Sequence, residues 1–214
     1  MSAPRIAMAD YGMGNRRSVV KAFAHNGTTI AQTADHDELR AADGIVVPGV
    51  GAFPEAMRRL RALGLDDVIR ERAAAGVPVI GLCLGMQLLF ERSVEHEGAE
   101  GLGLLPGTVE RLDTAGLKLP HIGWNSVTWQ RESALVEGLP NPAAFYHVHS
   151  FVPVPGDDAI VLGTGEYGTR FCSFVQRENI FGAQCHPEKS STHGLALLRN
   201  FTGICAASAA HVAT

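Results

Sequence analysis

Cysteine is scarce and scattered. The four present, Cys83, Cys172, Cys185 and Cys205, form no C-x-x-C pair, which excludes a zinc ribbon and a disulfide-stapled scaffold and fits reduced thiols in the cytoplasm. No secretory leader stands before Arg5, and the same compartment is expected from that end. No apolar run approaches the ~20 residues that span a bilayer. Nor is there a basic run to set against the net charge of -4, so binding to membranes or nucleic acid through bulk charge is excluded. Linkers and internal repeats are missing too, which argues for one domain over residues 1–214. What the chain has is apolar residue: 46% hydrophobic against 19% charged, enough for one substantial core.

Up to Phe90, strand and helix signals alternate. Strands are expected at Ile6–Ala9, Thr28–Ala31, Gly44–Val47 and Val77–Ile80. Helices are expected at Arg16–His25, Pro54–Leu63, Asp66–Ala75 and Met86–Glu91, several closed by a glycine. Such alternation predicts an α/β fold of flavodoxin type: a mostly parallel central sheet, helices on both faces, and ligands at the carboxyl ends of its strands. From Val109 to Gln184 the pattern changes to short strands at Val109–Leu112, Ser126–Trp129, Ala144–Val148, Ile160–Gly163 and Phe171–Val175, read as an antiparallel extension of the sheet in the C-terminal half. A last helix over Thr192–Ala206 would bury Leu195, Leu198, Phe201 and Cys205.

Cys83 falls where the apolar strand hands over to a helix, inside Gly81-Leu-Cys-Leu-Gly85. This is the thiol counterpart of the G-x-S-x-G elbow, in which the glycines avoid Cβ clashes in a sharp turn. A helix N-terminus beside the sulfur favours a thiolate there. A cysteine after an apolar strand is ordinarily core, so the elbow alone does not make a nucleophile. Acyl transfer also needs a base and a group to orient it. His186 and Glu188 of His-Pro-Glu follow the strand-like run Ile180–Cys185. In extended chain residues two apart face the same way, and Pro187 biases His186 toward that backbone. Glu188 could then hold one imidazole nitrogen while the other faces Cys83.

Donors for a negative oxygen would come from the glycine-rich loop Pro48-Gly-Val-Gly-Ala-Phe53. Either Val50 or Gly51 could offer one amide and Leu84 another; the bland alternative is a plain strand-to-helix connection. Three other patterns invite over-reading. Gly12-Met-Gly14 lacks the third glycine of a dinucleotide loop, since position 17 is Arg, and no nucleotide cofactor is expected. His147-Val-His149 has metal-like spacing, but adjacent Cys185 and His186 would point to opposite faces and could not converge with it. No metal is expected, and His147 reads as a half-buried strand residue. Trp124 and Trp129 read as core or sheet-face aromatics, and Trp124 suits a partner face equally well.

Taken together, Pro48–Phe53, Gly81-Leu-Cys-Leu-Gly-Met-Gln87, Pro120-His-Ile-Gly-Trp-Asn125, Tyr146-His-Val-His-Ser150 and Gly182-Ala-Gln-Cys-His-Pro-Glu-Lys-Ser190 resemble the ordered signatures of class I glutamine amidotransferases. With Asp10-Tyr-Gly-Met-Gly-Asn15, the resemblance is to the branch that supplies ammonia for imidazole ring formation in histidine biosynthesis. The match runs from about residue 5 to about residue 203. It implies hydrolysis of the L-glutamine side-chain amide through a thioester on Cys83. Ammonia would be delivered, in a heterodimer, to a cyclase subunit with a (β/α)8 barrel that makes imidazole glycerol phosphate and an aminoimidazole carboxamide ribonucleotide. It further implies Gly51 and Leu84 as oxyanion donors, and Gly49, Gln87, His149, Ser150 and Phe151 as the glutamine cradle. Asn15 and Trp124 would face the partner. The chain departs from that pattern at Cys185 and His147, where aromatics are usual, and at Arg17, where Leu is usual.

Two other functions fit the same residues less fully. A free-standing cysteine hydrolase of γ-glutamyl or peptide bonds would need only the triad. A regulatory module that kept the scaffold would be expected to have lost at least one of Cys83, His186 and Glu188, and all three are present.

Overall fold

The computed structural model describes residues 3–212. In chain order the elements are β1 (Ile6–Ala9), α1 (Arg16–His25), β2 (Ile30–Thr33), α2 (His36–Arg40), β3 (Gly44–Val47), α3 (Phe53–Ala62), α4 (Leu65–Ala74), β4 (Val79–Leu82), α5 (Leu84–Leu88) and β5 (Phe90–Ser93). There follow β6 (Ala99–Glu100), β7 (Leu105–Arg111), β8 (His121–Trp129), β9 (Ala143–His149), β10 (Phe151–Pro155), β11 (Val161–Tyr167), β12 (Thr169–Arg177), β13 (Ile180–Ala183) and α6 (Ser191–Val212). Nine strands form one sheet in the order β2-β1-β3-β4-β13-β12-β11-β8-β9.

The expected division of this sheet is present. β2, β1, β3, β4 and β13 pair in parallel, and from β12 outward every pairing is antiparallel. β1, β3, β4 and β13 are buried at every position, as strands covered on both faces must be. Alternate residues feed two cores: Ile45 and Val47 pack with Met57, Leu60 and Ile69 of α3 and α4. Val46, Ile80 and Leu82 pack with Phe23, Leu198 and Phe201 of α1 and α6.

Several sequence expectations are corrected. The segment around Val109 does not extend the main sheet; β7 belongs to a separate four-stranded sheet, β10-β7-β5-β6, joined to the first through Leu112, Val152 and Phe171. The helix expected over Met86–Glu91 begins at Leu84 and ends at Leu88, because Phe90 and Glu91 are taken into β5. The final strand stops at Ala183 and not at Cys185; the backbone of Gln184 donates to Ser173 and that of His186 to Tyr146, which turns the chain out of the parallel ladder. Short α2, β5, β6 and β10 carry no period long enough to be read in advance. Among the described residues, no helix is long and apolar enough to cross a membrane.

Candidate active site

The parallel strands bring their carboxyl ends to one edge, and there the chain makes its sharpest turn. Cys83 sits between β4 and α5 with φ 54° and ψ -113°, backbone that a side-chain-bearing residue adopts only when its surroundings impose it. The surroundings are visible: a Cβ on Gly85 would overlap the Val47 carbonyl, and one on Gly81 would overlap the Gly85 carbonyl. The glycines therefore let α5 start directly against β3, and Cys83 is lifted to the rim while remaining 7% exposed.

His186 reaches the same spot from the end of β13. The expected extended pair, His186 and Glu188 side by side, is replaced by a tighter arrangement: His186 is extended, and Pro187–Lys189 forms a 3-10 turn. Proline suits the first position of such a turn and ends the ladder because it has no N–H. The Ser190 hydroxyl donates to the His186 carbonyl at 2.7 Å and accepts the Tyr146 N–H at 3.0 Å, which clamps the turn to β9. In that arrangement His186 Nδ1 lies 2.9 Å from Glu188 Oε1, and the ring shares a cavity wall with Cys83. Burial disfavours the charged imidazole, yet the hydrogen bonds and charges of Cys83 and Glu188 outweigh it and push His186 up to about 10. The Glu188 carboxylate is fully enclosed, and its Oε2 has no hydrogen-bond partner among the described residues.

Cys83 and His186 open onto a cavity of about 370 Å³, also lined by Val50, Gly51, Leu84 and Gln87, with Glu95, Lys189 and the His149–Phe151 segment among its other walls. That volume suits a small-molecule ligand. Two larger concavities, about 650 and 800 Å³, lie on the antiparallel side and hold no triad residue; chemistry, not volume, singles out this one. Of the sequence-predicted residues, Gly51, Leu84, Gln87, His149, Ser150 and Phe151 all reach the cavity. Gly51 has φ +108°, open to glycine alone in practice, and the Leu84 amide is the first of α5, without an acceptor inside its own helix.

Gly49 is the exception. It does not line this cavity: a Cβ there would meet the Gly85 amide and Leu84 Cβ at 2.8 Å, so its smallness serves backbone packing. Asn15 occupies the N-cap position of α1 but caps no amide with its side chain; Nδ2 instead points to Glu188 Oε1 at 3.5 Å. Trp124 is 56% exposed, beside Ile122 at 59%, whereas Trp129 packs edge-on against Phe145 and Phe174.

His147 is not half-buried but wholly enclosed, with Nδ1 3.1 Å from the Phe145 carbonyl and Nε2 2.9 Å from Ser173 Oγ. Burial and the neighbouring histidines hold it well below the usual imidazole range. Cys185 is likewise enclosed and packs into the core on the α1 and α6 side; burial, with Glu188 and Cys83 nearby, pushes its thiol up. Among the described residues, no group of three or more His, Cys, Asp or Glu could hold a metal.

Sequence reasoning missed Glu95, His121 and Gln184. Glu95 accepts the Phe53 N–H at 2.8 Å, so it both caps α3 and presents a carboxylate to the cavity; nothing in its sequence neighbourhood marks it. His121 Nδ1 lies 3.0 Å from His149 Nε2, and His149 Nδ1 lies 3.1 Å from the Phe151 carbonyl. A carbonyl only accepts, so His149 carries its proton on Nδ1 and takes one from His121 on Nε2. Burial, reinforced by His121, pushes His149 down to about 3 and keeps it neutral.

The fold and the site define a class, and comparison with known proteins agrees: the chain belongs to the class-I glutamine amidotransferase family, which it matches over residues 7–204. It is 52% identical over 196 residues to the imidazole glycerol phosphate synthase subunit HisH of Moorella thermoacetica, covering 92% of this chain and 93% of that one. It is 47% identical over 199 residues to the subunit of the same name from Bacillus cereus, covering 93% and 94%. Among solved structures, a putative GMP synthase subunit of Thermoplasma acidophilum superposes with a TM-score of 0.76 at 19% identity over 100% of both chains. PurLQS of Thermotoga maritima superposes with the same score and identity over 95% of this chain and 99% of that one.

Proposed function

We propose that this chain is the glutaminase subunit of an imidazole glycerol phosphate synthase, acting as one amidotransferase domain in the cytoplasm. The carrying observation is the meeting of Cys83 at a strained elbow with a His186–Glu188 pair at 2.9 Å on the wall of a ligand-sized cavity, in a chain 52% identical to a subunit of that synthase.

In the reaction, with the Cys83 proton carried by His186, Sγ attacks the side-chain carbonyl carbon of L-glutamine and the C–O π pair moves onto oxygen. The Leu84 amide and that of Gly51 receive the oxyanion. His186 gives its proton to the departing nitrogen, the C–N bond breaks, and ammonia leaves a γ-glutamyl thioester. Water then attacks the thioester as His186 takes back a proton, and collapse returns the electron pair to sulfur with release of glutamate. Glu188 holds the imidazole in register and balances its charge, and Asn15 steadies Glu188. Gln87, His149, Ser150 and Phe151 wall the substrate. Glu95 offers the only carboxylate among the cavity residues just named, suited to the substrate's α-ammonium group.

Ammonia is mostly protonated in neutral water, which favours direct hand-over to a partner. That partner is a (β/α)8-barrel cyclase in a heterodimer, for which exposed Ile122 and Trp124 on one side of β8 offer a contact surface. No membrane, nucleic acid, cofactor or metal takes part. The free-standing hydrolase gains no observation of its own. In the assembled complex, Cys83→Ala is expected to abolish glutamine-dependent synthesis and to leave ammonia-dependent synthesis near wild type; synthesis from glutamine by that variant would overturn the proposal.

A further inference from the structure

Gln184 is a fully enclosed polar side chain beside the triad, without a role in the steps above. It follows the last residue of β13, and its side-chain nitrogen lies 3.8 Å from Cys83 Sγ, within reach of the large sulfur atom. Its Oε1 accepts from Gln87 Nε2 at 3.0 Å, and the same Gln87 nitrogen donates to the Phe151 carbonyl at 3.0 Å.

A carboxamide can be turned over, so which end faces the sulfur has to be argued. The backbone settles it. The Phe151 carbonyl can only accept, so Gln87 must present its nitrogen there. The second hydrogen of that nitrogen then points at Gln184, which must answer with oxygen. Gln184 is left with its N–H₂ toward Cys83. Turning either amide over would bring two donors or two acceptors face to face where no water can intervene. The sulfur thus has one acceptor, the Val148 carbonyl at 3.8 Å, to take the proton while Cys83 is a thiol. For the charge that appears when that proton passes to His186, the sulfur has the Gln184 N–H₂ as a donor and the positive imidazole beside it.

We propose that Gln184 is a catalytic residue of the glutaminase, its side-chain amide donating to the Cys83 sulfur in the thiolate and again as the thioester C–S bond breaks. This rests on Cys83 being the nucleophile proposed above. Gln87 then acts in part through Gln184, since both of its donor hydrogens are spent inside the protein and only its oxygen is free for substrate.

The test compares wild type with Gln184→Met, which fills similar space without a donor, and Gln184→Glu, which keeps the shape. Cys83 alkylation by iodoacetamide is followed against pH in the full chain, and glutaminase turnover in the complex with the cyclase. Gln184→Met is expected to move the alkylation midpoint upward by roughly one pH unit, a tenfold loss of thiolate. It should lower kcat by about tenfold with KM nearly unchanged, the pattern of an interaction lost from the transition state; Gln184→Glu should shift the midpoint further. A folded, partner-binding Gln184→Met with an unaltered alkylation profile would overturn the proposal.

A second measurement needs no variant at Gln184: the side-chain amide resonances of Gln184 in the wild-type protein should move as Cys83 ionises, and their invariance would equally refute it. Glutamine-dependent synthesis by Cys83→Ala would instead bring down the nucleophile assignment, so the two failures are distinct.

Discussion

Two histidines face one cavity, one held protonated and the other neutral. His186 stands at the parallel edge of the sheet and His149 on the antiparallel wall, 5% and 6% exposed. One is pushed up to about 10 and the other down to about 3. Equal burial cannot explain opposite shifts; the partners do. His186 has the charges of the Cys83 sulfur and the Glu188 carboxylate beside it, and these outweigh its burial, so the protonated ring is favoured. His149 has a backbone carbonyl and a second imidazole, neither of which supplies a counter-charge, so burial prevails and the ring stays neutral. The first wall can hold and release a proton at the reacting atoms, whereas the second fixes shape.

The contrast should break most severely at Glu188. Glu188→Gln leaves the hydrogen-bonding shape but removes the counter-charge. It is expected to lower kcat by about 10²- to 10⁴-fold and to bring the alkaline limb of the kcat/KM profile, which reports loss of the His186 proton, down toward neutrality. A profile unmoved from wild type would mean that Cys83 alone sets the imidazole charge. On the other wall, His121→Leu strands the buried Nε2 of His149 without a donor. The expected loss is about 1–3 kcal/mol in urea unfolding, with a raised KM and a kcat near wild type; equal damage to kcat would place that wall in the chemistry.

The smallest effect is in stability against pH. The folded value of His186 lies above its ordinary 6.5, so its contribution is complete below 6.5 and is lost as pH rises toward about 10. The slope is at most about 1.4 kcal/mol per pH unit for one proton. His149 is depressed below 6.5, so its contribution is present above 6.5 and is lost as pH falls toward about 3. Urea unfolding on both sides of neutrality separates the two, and Glu188→Gln should flatten the alkaline slope alone.

Much of the first wall was legible in the sequence and little of the second. β1, α1 and β3 fall where the apolar runs place them, because a strand buried on both faces must be apolar throughout. Gly81, Cys83 and Gly85 announce the elbow because only glycine clears the Val47 and Gly85 carbonyls. The second wall is built from pairings between distant short strands. That β7 would leave the main sheet, or that His121 would meet His149 across the β8–β9 register, depends on neighbours that no local pattern records. Glu95 was illegible for the same reason, since its partner is an amide at position 53. Of the three departures noted from the resemblance, Arg17 is exposed, while His147 and Cys185 lie wholly inside; His147 is satisfied by Ser173, and nothing in the structure explains Cys185.

β8 alternates between two audiences. Ile122, Trp124 and Ser126 are exposed, while His121 and Val127 are buried and Gly123 and Asn125 lie half-covered beneath; Asn125 Nδ2 is 3.3 Å from His121 Nε2. Parity therefore partitions the strand. Even positions can be rewritten without disturbing the buried histidines beneath. Inserting a single residue ahead of His121 would exchange the two sets, turning Trp124 inward and His121 outward.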